Sequence, residues 1–232
     1  MHHEPTRLQY LKEMGIDVWV DRDAPVLDAD TAEPAASNVS VSRIEDIPEL
    51  VALREQVAGC TSCSLHESRT QTVFGVGNAS ADWLVIGEAP GADEDRQGEP
   101  FVGRAGKLLN AMLLAIGLER EQVFIANILK CRPPNNRDPK PEEVQACEHF
   151  LKRQVELIQP KLILCVGRIA AQNLLKVDTP IGKMRGKQFQ LEGTGIPVMV
   201  TYHPAYLLRS PREKRKVWED LKQAMRLYRE QA

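Results

Sequence analysis

Four cysteines are the residues of this chain whose type and spacing most directly suggest chemistry. Cys60 and Cys63 form a Cys-x2-Cys pair, Cys131 lies 68 positions after that pair, and Cys147 follows 16 positions later. Four thiolates hold either a tetrahedral zinc ion or an iron–sulfur cluster. A structural zinc ribbon usually pairs two short knuckles, and the second spacing is too long for a knuckle. The spacing alone therefore favours a cluster and leaves zinc open.

Polar residues that could act on a ligand follow three apolar runs of the sequence. Glu88 lies in the loop Gly87-Glu-Ala-Pro-Gly91, Asn127 ends a second run, and His203 follows a third. Each has an ordinary alternative, respectively a solvated carboxylate, a loop-anchoring amide and a structural imidazole. The glycine loop also lacks the endings typical of dinucleotide and phosphate loops. Cys165 lies inside an apolar run, which predicts a buried thiol and no ligand role.

The elements that must position these residues alternate along the chain. Apolar runs without polar alternation predict buried strands, and amphipathic segments between them predict helices. This order predicts an α/β fold of three α/β/α layers with a central four-stranded parallel sheet, whose functional loops lie at the carboxyl ends of the strands. The predicted strands are 82–87, 123–127, 161–167 and 197–201, and the predicted helices are 49–58, 105–117, 141–159, 168–175 and 211–228.

Composition divides the chain into three parts. Residues 1–50 carry 4 Lys and Arg against 11 Asp and Glu, whereas the other 182 carry 26 against 21. We predict a short docking-type segment at 1–20, a flexible acidic linker at 21–43 and one globular domain at 44–232. The stretch 203–229 holds eight basic residues and three acidic ones, which suits a polyanion or a solvated helix face.

Two further features bear on the compartment. No apolar run approaches the roughly 18 residues that span a bilayer, and the N-terminus lacks a basic and hydrophobic signal pattern. These features predict a cytoplasmic protein. In a reducing compartment, an odd count of five cysteines indicates ligands or buried thiols more than disulfides.

Taken together, the motifs resemble those of the iron–sulfur uracil-DNA glycosylases, family 4 of the uracil-DNA glycosylase superfamily. The resemblance spans about residues 50–228, and several motifs in one order are far more specific than any single motif. The matching strings are Cys60-x2-Cys63, Gly87-Glu-Ala-Pro-Gly91, Gly98-x-Pro-Phe-Val-Gly-Arg-Ala-Gly106, Asn127-x3-Cys-Arg-Pro-Pro-x-Asn-Arg137 and His203-Pro-Ala205.

That resemblance implies a monofunctional enzyme that flips uracil out of DNA and hydrolyses its N-glycosidic bond in base excision repair. It also implies a [4Fe–4S] cluster on the four cysteines already named. A nucleoid-associated monomer acting on single- or double-stranded DNA follows as an expectation. Two rivals stay open: a noncatalytic nucleic-acid module with an architectural cluster, and a phosphate-ester or nucleotide enzyme on a similar sheet.

The resemblance also implies a base pocket. Phe101 stacks on uracil, the Asn127 amide pairs with O4 and N3–H, and Glu94 lies near C5, where thymine carries a methyl group. His203 donates to O2 as negative charge develops on the leaving base. Gly87 lets the backbone approach the ligand.

One catalytic position departs from related families. Families that carry Gly-Gln-Asp-Pro-Tyr use the Asp to position water, and Ala89 stands at that place here. Glu88 is the nearest carboxylate, so it is the candidate for orienting water or the sugar. With Asn127 and His203 it completes the predicted catalytic set.

Contacts to DNA are implied by two segments. The loop after His203 resembles the family's insertion loop, which fills the gap left by the flipped base, and arginines beside the cysteine segment would face phosphates. The implied DNA-binding residues are Arg132, Arg137, Ala205, Tyr206, Leu207, Leu208 and Arg209.

Residues 7–22 fall outside that resemblance. They look like the N-terminal peptide of the psi subunit of the bacterial clamp loader, through a few leucines, Gly15-Ile16, Trp19 and Arg22. The similarity predicts a contact with the clamp loader or replisome, and a segment that packs on its own domain is the alternative.

Overall fold

Six strands form one sheet at the centre of the structure, a computed structural model that describes residues 41–231. They are β1 (Val76–Gly77), β2 (Trp83–Gly87), β3 (Phe124–Asn127), β4 (Leu162–Val166), β5 (Gln188–Gln190) and β6 (Pro197–Thr201). Their order across the sheet is β1–β3–β2–β4–β6–β5. The four central strands run parallel, and the two edge strands pair antiparallel.

The four predicted parallel strands are confirmed, but a four-stranded sheet is wrong because β1 and β5 extend it at both edges. These edge strands have only two and three residues, and none of their residues is fully buried. An edge strand bonds a neighbour on one side only and needs no long apolar run. The signal that identified the buried central strands is therefore missing from the edges.

Helices cover both faces of the sheet. They are α1 (Pro48–Ala58), α2 (Ala92–Gln97), α3 (Arg104–Ala115), α4 (Pro141–Ile158), α5 (Arg168–Leu175), α6 (Ile181–Met184), α7 (Pro204–Arg209) and α8 (Lys214–Arg229). One core cluster includes α1, α4 and α5, and the other includes α3, α7 and α8. Every residue of β2, β3, β4 and β6 is buried between these layers, which confirms the three-layer α/β/α fold.

The proposed N-terminal segment 1–20 and nearly all of the linker 21–43 lie outside the described residues, so the domain boundaries stay predictions. Within the described residues, the first regular element is a 3₁₀ turn at Ile44–Asp46, whose isoleucine is buried in the core. Within residues 41–231, none of the helices combines the length and the apolar character needed to cross a membrane.

Candidate active site and cysteine cavity

The carboxyl ends of the parallel strands bring the predicted catalytic residues to one edge of the sheet. β2 ends at Gly87 and β3 at Asn127, and these two residues pair in register. β4 ends just before Gly167, and β6 ends two residues before His203. The predicted residues therefore lie at the edge where parallel sheets usually bind ligands.

Gly87 has no side chain, which lets the side chains of Asn127 and Phe101 pack closely against its main chain. A Cβ atom at this position would lie 2.4 Å from Asn127 Oδ1 and 2.7 Å from Phe101 Cζ. The Asn127 side chain is buried, and its Oδ1 atom has no hydrogen-bond partner among residues 41–231. A buried polar atom without a partner costs free energy in the ligand-free fold. The geometry therefore makes Asn127 a candidate for binding a polar ligand.

Phe101 lies beside Gly87 and has an uncommon backbone conformation. Its φ is +54°, in the left-handed region that few residues other than glycine adopt. The ring is buried, and its centroid lies 5.5 Å from that of the His203 ring at an interplanar angle of 31°. Gly87, Phe101, Asn127 and His203 thus lie next to one another at the carboxyl edge of the sheet, and their role in binding a base stays a prediction.

His203 is uncharged and donates through one defined nitrogen. Its Nδ1 atom accepts a hydrogen bond from the Ala205 backbone N–H at 3.1 Å, which caps α7. Burial lowers the pKa of the imidazole to about 4, the positive charge of Arg209 acts in the same direction, and Glu94 opposes them. At neutral pH the single ring proton is therefore on Nε2, which is available as a donor.

Glu88 is a carboxyl group poised between its two protonation states at neutral pH. Its pKa is raised to about 7: burial raises it most, the nearby Asp138 carboxylate also raises it, and Arg168 lowers it. Asp138 and Arg168 also form an ion pair with each other at 3.0 Å. A general base works best with a pKa near the working pH, and this environment supplies one.

Glu94 binds main-chain groups of the loops around the pocket. Its Oε2 accepts from Gly91 N at 3.1 Å, and its Oε1 accepts from Val102 N at 3.0 Å and Gly103 N at 3.3 Å. The carboxylate therefore fixes the main chain directly after Phe101. Its predicted place near C5 of the base stays a prediction.

The four cysteines line one small cavity that is partly open to solvent. Arg69 Nη1 donates to Cys131 Sγ at 3.2 Å, and the Lys130 backbone N–H donates to Cys147 Sγ at 3.3 Å. In the described part of the chain, no three His, Cys, Asp or Glu side chains are close enough together to hold a single metal ion. Cys165 is fully buried in β4, as its apolar run predicts.

Lys130 connects this cavity to the base pocket and was missed by sequence reasoning. Its side chain is buried, and its Nζ atom donates to the Asn127 carbonyl at 2.9 Å and to Gln154 Oε1 at 2.6 Å. Gln154 in turn donates to the Phe74 carbonyl at 2.9 Å. The only sequence signal was a lysine in the otherwise apolar run 128–131, and its partner lies 24 positions away.

The predicted insertion loop folds as the helix α7 and exposes only part of its apolar surface. Tyr206 and Leu208 are 36% and 37% exposed, and Arg209 is exposed as well. Ala205 is half-buried. Leu207 points inward and is fully buried in the core, which corrects the prediction for this side chain.

The two arginines after the cysteine segment have partners within the protein. Arg132 Nε donates to Asn136 Oδ1 at 2.8 Å. Arg137 makes a two-pronged ion pair with the buried Glu143 carboxylate at 2.5 and 2.9 Å. Breaking that pair would leave a buried charge. Arg137 is therefore held in place by Glu143, and its contact with DNA stays a prediction.

Comparison with known proteins agrees with the geometry of the site. Residues 74–222 match the family model described as the uracil DNA glycosylase superfamily. A type-4 uracil-DNA glycosylase from Archaeoglobus fulgidus is 48% identical over 185 residues, which cover 77% of this chain and 92% of the relative. One from Thermotoga maritima is 45% identical over 183 residues, covering 78% and 94%. The chain therefore belongs to the uracil-DNA glycosylase superfamily.

Proposed function

We propose that this chain excises uracil from DNA by hydrolysing the N-glycosidic bond. The observation that carries the proposal is the buried, unpartnered Asn127 Oδ1 atom in a pocket walled by Phe101 and His203. The type-4 glycosylase relatives support the same conclusion. Because a base inside a duplex is stacked and paired, the nucleotide must be flipped into this pocket before its edge can be recognised.

Uracil is selected by its hydrogen-bonding edge. The Asn127 Oδ1 atom accepts the N3–H of uracil, and the amide nitrogen donates to O4. Cytosine has an acceptor at N3 and a donor at N4, so it opposes both contacts. Each unpaired buried group costs about 1–3 kcal/mol, and selectivity follows from two such groups.

Bond cleavage leaves positive charge on the sugar and negative charge on uracil. His203 donates its Nε2 proton as a hydrogen bond to O2 and stabilises the developing anion. A neutral imidazole suits this role because its tautomer is already set by the Ala205 hydrogen bond. Glu88, when ionised, orients the attacking water or stabilises the sugar cation. Water is the nucleophile, and no strand-cleaving lyase step follows.

Cys60, Cys63, Cys131 and Cys147 hold a [4Fe–4S] cluster in this proposal. They line one cavity, and the donors from Arg69 and Lys130 to the sulfur atoms suit anionic thiolates. The cluster supplies a structural brace between the segment after α1 and the segments that carry Asn127 and α4. Excision itself is carried out by the side chains at the edge of the sheet.

The activity is tested with oligonucleotides that carry one uracil or, as the matched control, one thymine. We expect release of free uracil from the first only, with strand breakage appearing only after treatment with alkali. DNA binding without base release would instead support a noncatalytic module. Hydrolysis of phosphate esters without base release would support the other rival.

Asn127→Ala is expected to lower the single-turnover rate of uracil excision by about 10–100-fold, since one or two buried hydrogen bonds are lost. The ratio of uracil to cytosine excision should fall as well, because the edge that rejects cytosine is gone. Asn173→Ala on α5 serves as the control, and its rate should equal that of the parent. An unchanged rate in Asn127→Ala would refute base recognition by this amide.

Leu208→Ala is expected to reduce excision from duplex DNA by about tenfold, some 1.4 kcal/mol, and to affect single strands much less. The reason is that only a duplex must be stabilised around the gap left by the flipped base. Val177→Ala is a matched control, since Val177 is also an apolar side chain and is 36% exposed, against 37% for Leu208. Equal losses on both substrates would contradict an insertion role.

The contact of residues 7–22 with a clamp loader, and the monomeric state, stay predictions. That segment lies outside the described residues, so the geometry neither supports nor opposes docking. The substrate partner that the family supports is DNA containing uracil.

A further inference from the structure

Hydrogen bonds to main-chain N–H and carbonyl groups around Phe101 hold this residue in its left-handed conformation. A residue with a side chain at φ +54° is strained, and such strain persists only where the surroundings enforce it. On one side, the Glu94 carboxylate accepts hydrogen bonds from the N–H groups of Val102 and Gly103. The carbonyl groups of Pro100 and Phe101, which precede these N–H groups, need a different hydrogen-bond partner.

Arg120 binds those carbonyl groups. Its Nη2 atom donates to the Pro100 carbonyl at 2.6 Å, and its Nη1 atom donates to the Phe101 carbonyl at 3.4 Å. Nη1 also donates to Asn110 Oδ1 of α3 at 3.2 Å, which orients the guanidinium. All three acceptors are neutral oxygen atoms, and bonds from an ionised donor are stronger than neutral ones.

The packing around this carbonyl leaves little freedom. A Cβ atom at Gly106 would lie 1.7 Å from the Phe101 carbonyl oxygen, so α3 approaches the loop as closely as only glycine permits. Arg120 itself lies in the 3₁₀ turn Arg120–Gln122 that leads directly into β3. The side chain thus ties the Phe101 loop to the strand that ends in Asn127.

We propose that Arg120 is a positioning residue for uracil excision, because it holds the main chain of Pro100 and Phe101 so that the Phe101 ring covers the base pocket. The proposal rests on the uracil-excising function given above. Arg120 touches neither the base nor the reacting atoms, and it acts only through Phe101. Its loss should therefore be equivalent to the loss of a correctly placed Phe101 ring.

A double-mutant cycle tests this equivalence. Single-turnover rates at saturating enzyme are measured for the parent, Arg120→Gln, Phe101→Ala and the double variant. We expect each single variant to lose about 10–100-fold and the double variant to stay within about threefold of Phe101→Ala. Arg120→Lys, which retains a cation for the two carbonyls, should recover part of the rate. Arg153→Gln, an exposed arginine on α4, is the control and should match the parent.

Three outcomes would overturn the proposal. Losses that multiply in the double variant would show that Arg120 acts independently of Phe101. A lowered melting temperature with an unchanged rate would show a merely structural role. Absence of uracil release by the parent would refute the proposed function itself, a result distinct from any difference between parent and variant. If Arg120→Gln does not fold, Asn110→Ala, which removes only the orienting amide, should lose several-fold in rate and show the same coupling to Phe101→Ala.

Discussion

Glu88→Gln is expected to lower the single-turnover rate of uracil excision by about 10²–10⁴-fold, the usual contribution of a positioned base. The carboxylate is the active form and its pKa is about 7, so the parent rate should rise with pH up to neutrality and level off above it. The amide cannot ionise, so the variant should lack this rise. A rate within about threefold of the parent, some 0.6 kcal/mol, would refute the assignment of Glu88 as a catalytic carboxylate.

The charged neighbours of Glu88 provide a matched test of the same pH profile. Asp138 raises the pKa of Glu88 and Arg168 lowers it. Asp138→Asn should therefore move the rising limb to lower pH, and Arg168→Gln should move it to higher pH. Because the two residues pair with each other, removing one also frees the other to act more strongly in the same direction. Shifts of equal sign would mean that another group controls the profile.

With the proposed [4Fe–4S] cluster the purified protein should be brown, and Cys131→Ser is expected to abolish this colour and to reduce excision at least about 100-fold. Binding of a structural metal group contributes on the order of 10 kcal/mol in small metal-dependent folds, so its loss should unfold the linked segments locally. Limited proteolysis should then cleave near residues 60–73 and 128–147, while the sheet stays protected.

Cys165→Ala is the matched control for the cysteine variant. This thiol is equally a cysteine and is fully buried in β4, away from the cavity. Its removal should retain the colour and the iron content, and cost about 1 kcal/mol of stability. Stoichiometric zinc in place of iron in the parent protein, or an unchanged colour in Cys131→Ser, would refute the cluster assignment.

The sequence predicted those parts of the fold whose signal is local. The central strands are apolar runs buried on both faces, and Pro141 with two acidic residues behind it begins α4 as expected. Asn127 and His203 were predicted because each follows such a run. The strands β1 and β5 were not predicted, since two or three partly exposed residues carry no comparable pattern.

The supporting residues of the site were invisible for a different reason. Arg120 acts on main-chain carbonyls 19 and 20 positions away, and Lys130 acts on Gln154 at a distance of 24 positions. Such pairings depend on the packing of whole elements, and no sequence motif specifies them. Leu207 was assigned to the surface with its neighbour Leu208 because the short helix α7, which turns one inward and one outward, was predicted as a loop.

Lys130 links the proposed iron site to the proposed base-binding site, because it contacts a residue of each. Its backbone N–H contacts the Cys147 sulfur, and its side chain contacts the carbonyl of Asn127. If the proposed cluster is bound, depletion of iron would thus reach Asn127, the proposed uracil-binding residue, through a single lysine. Excision per molecule of this polypeptide should then depend on its iron content.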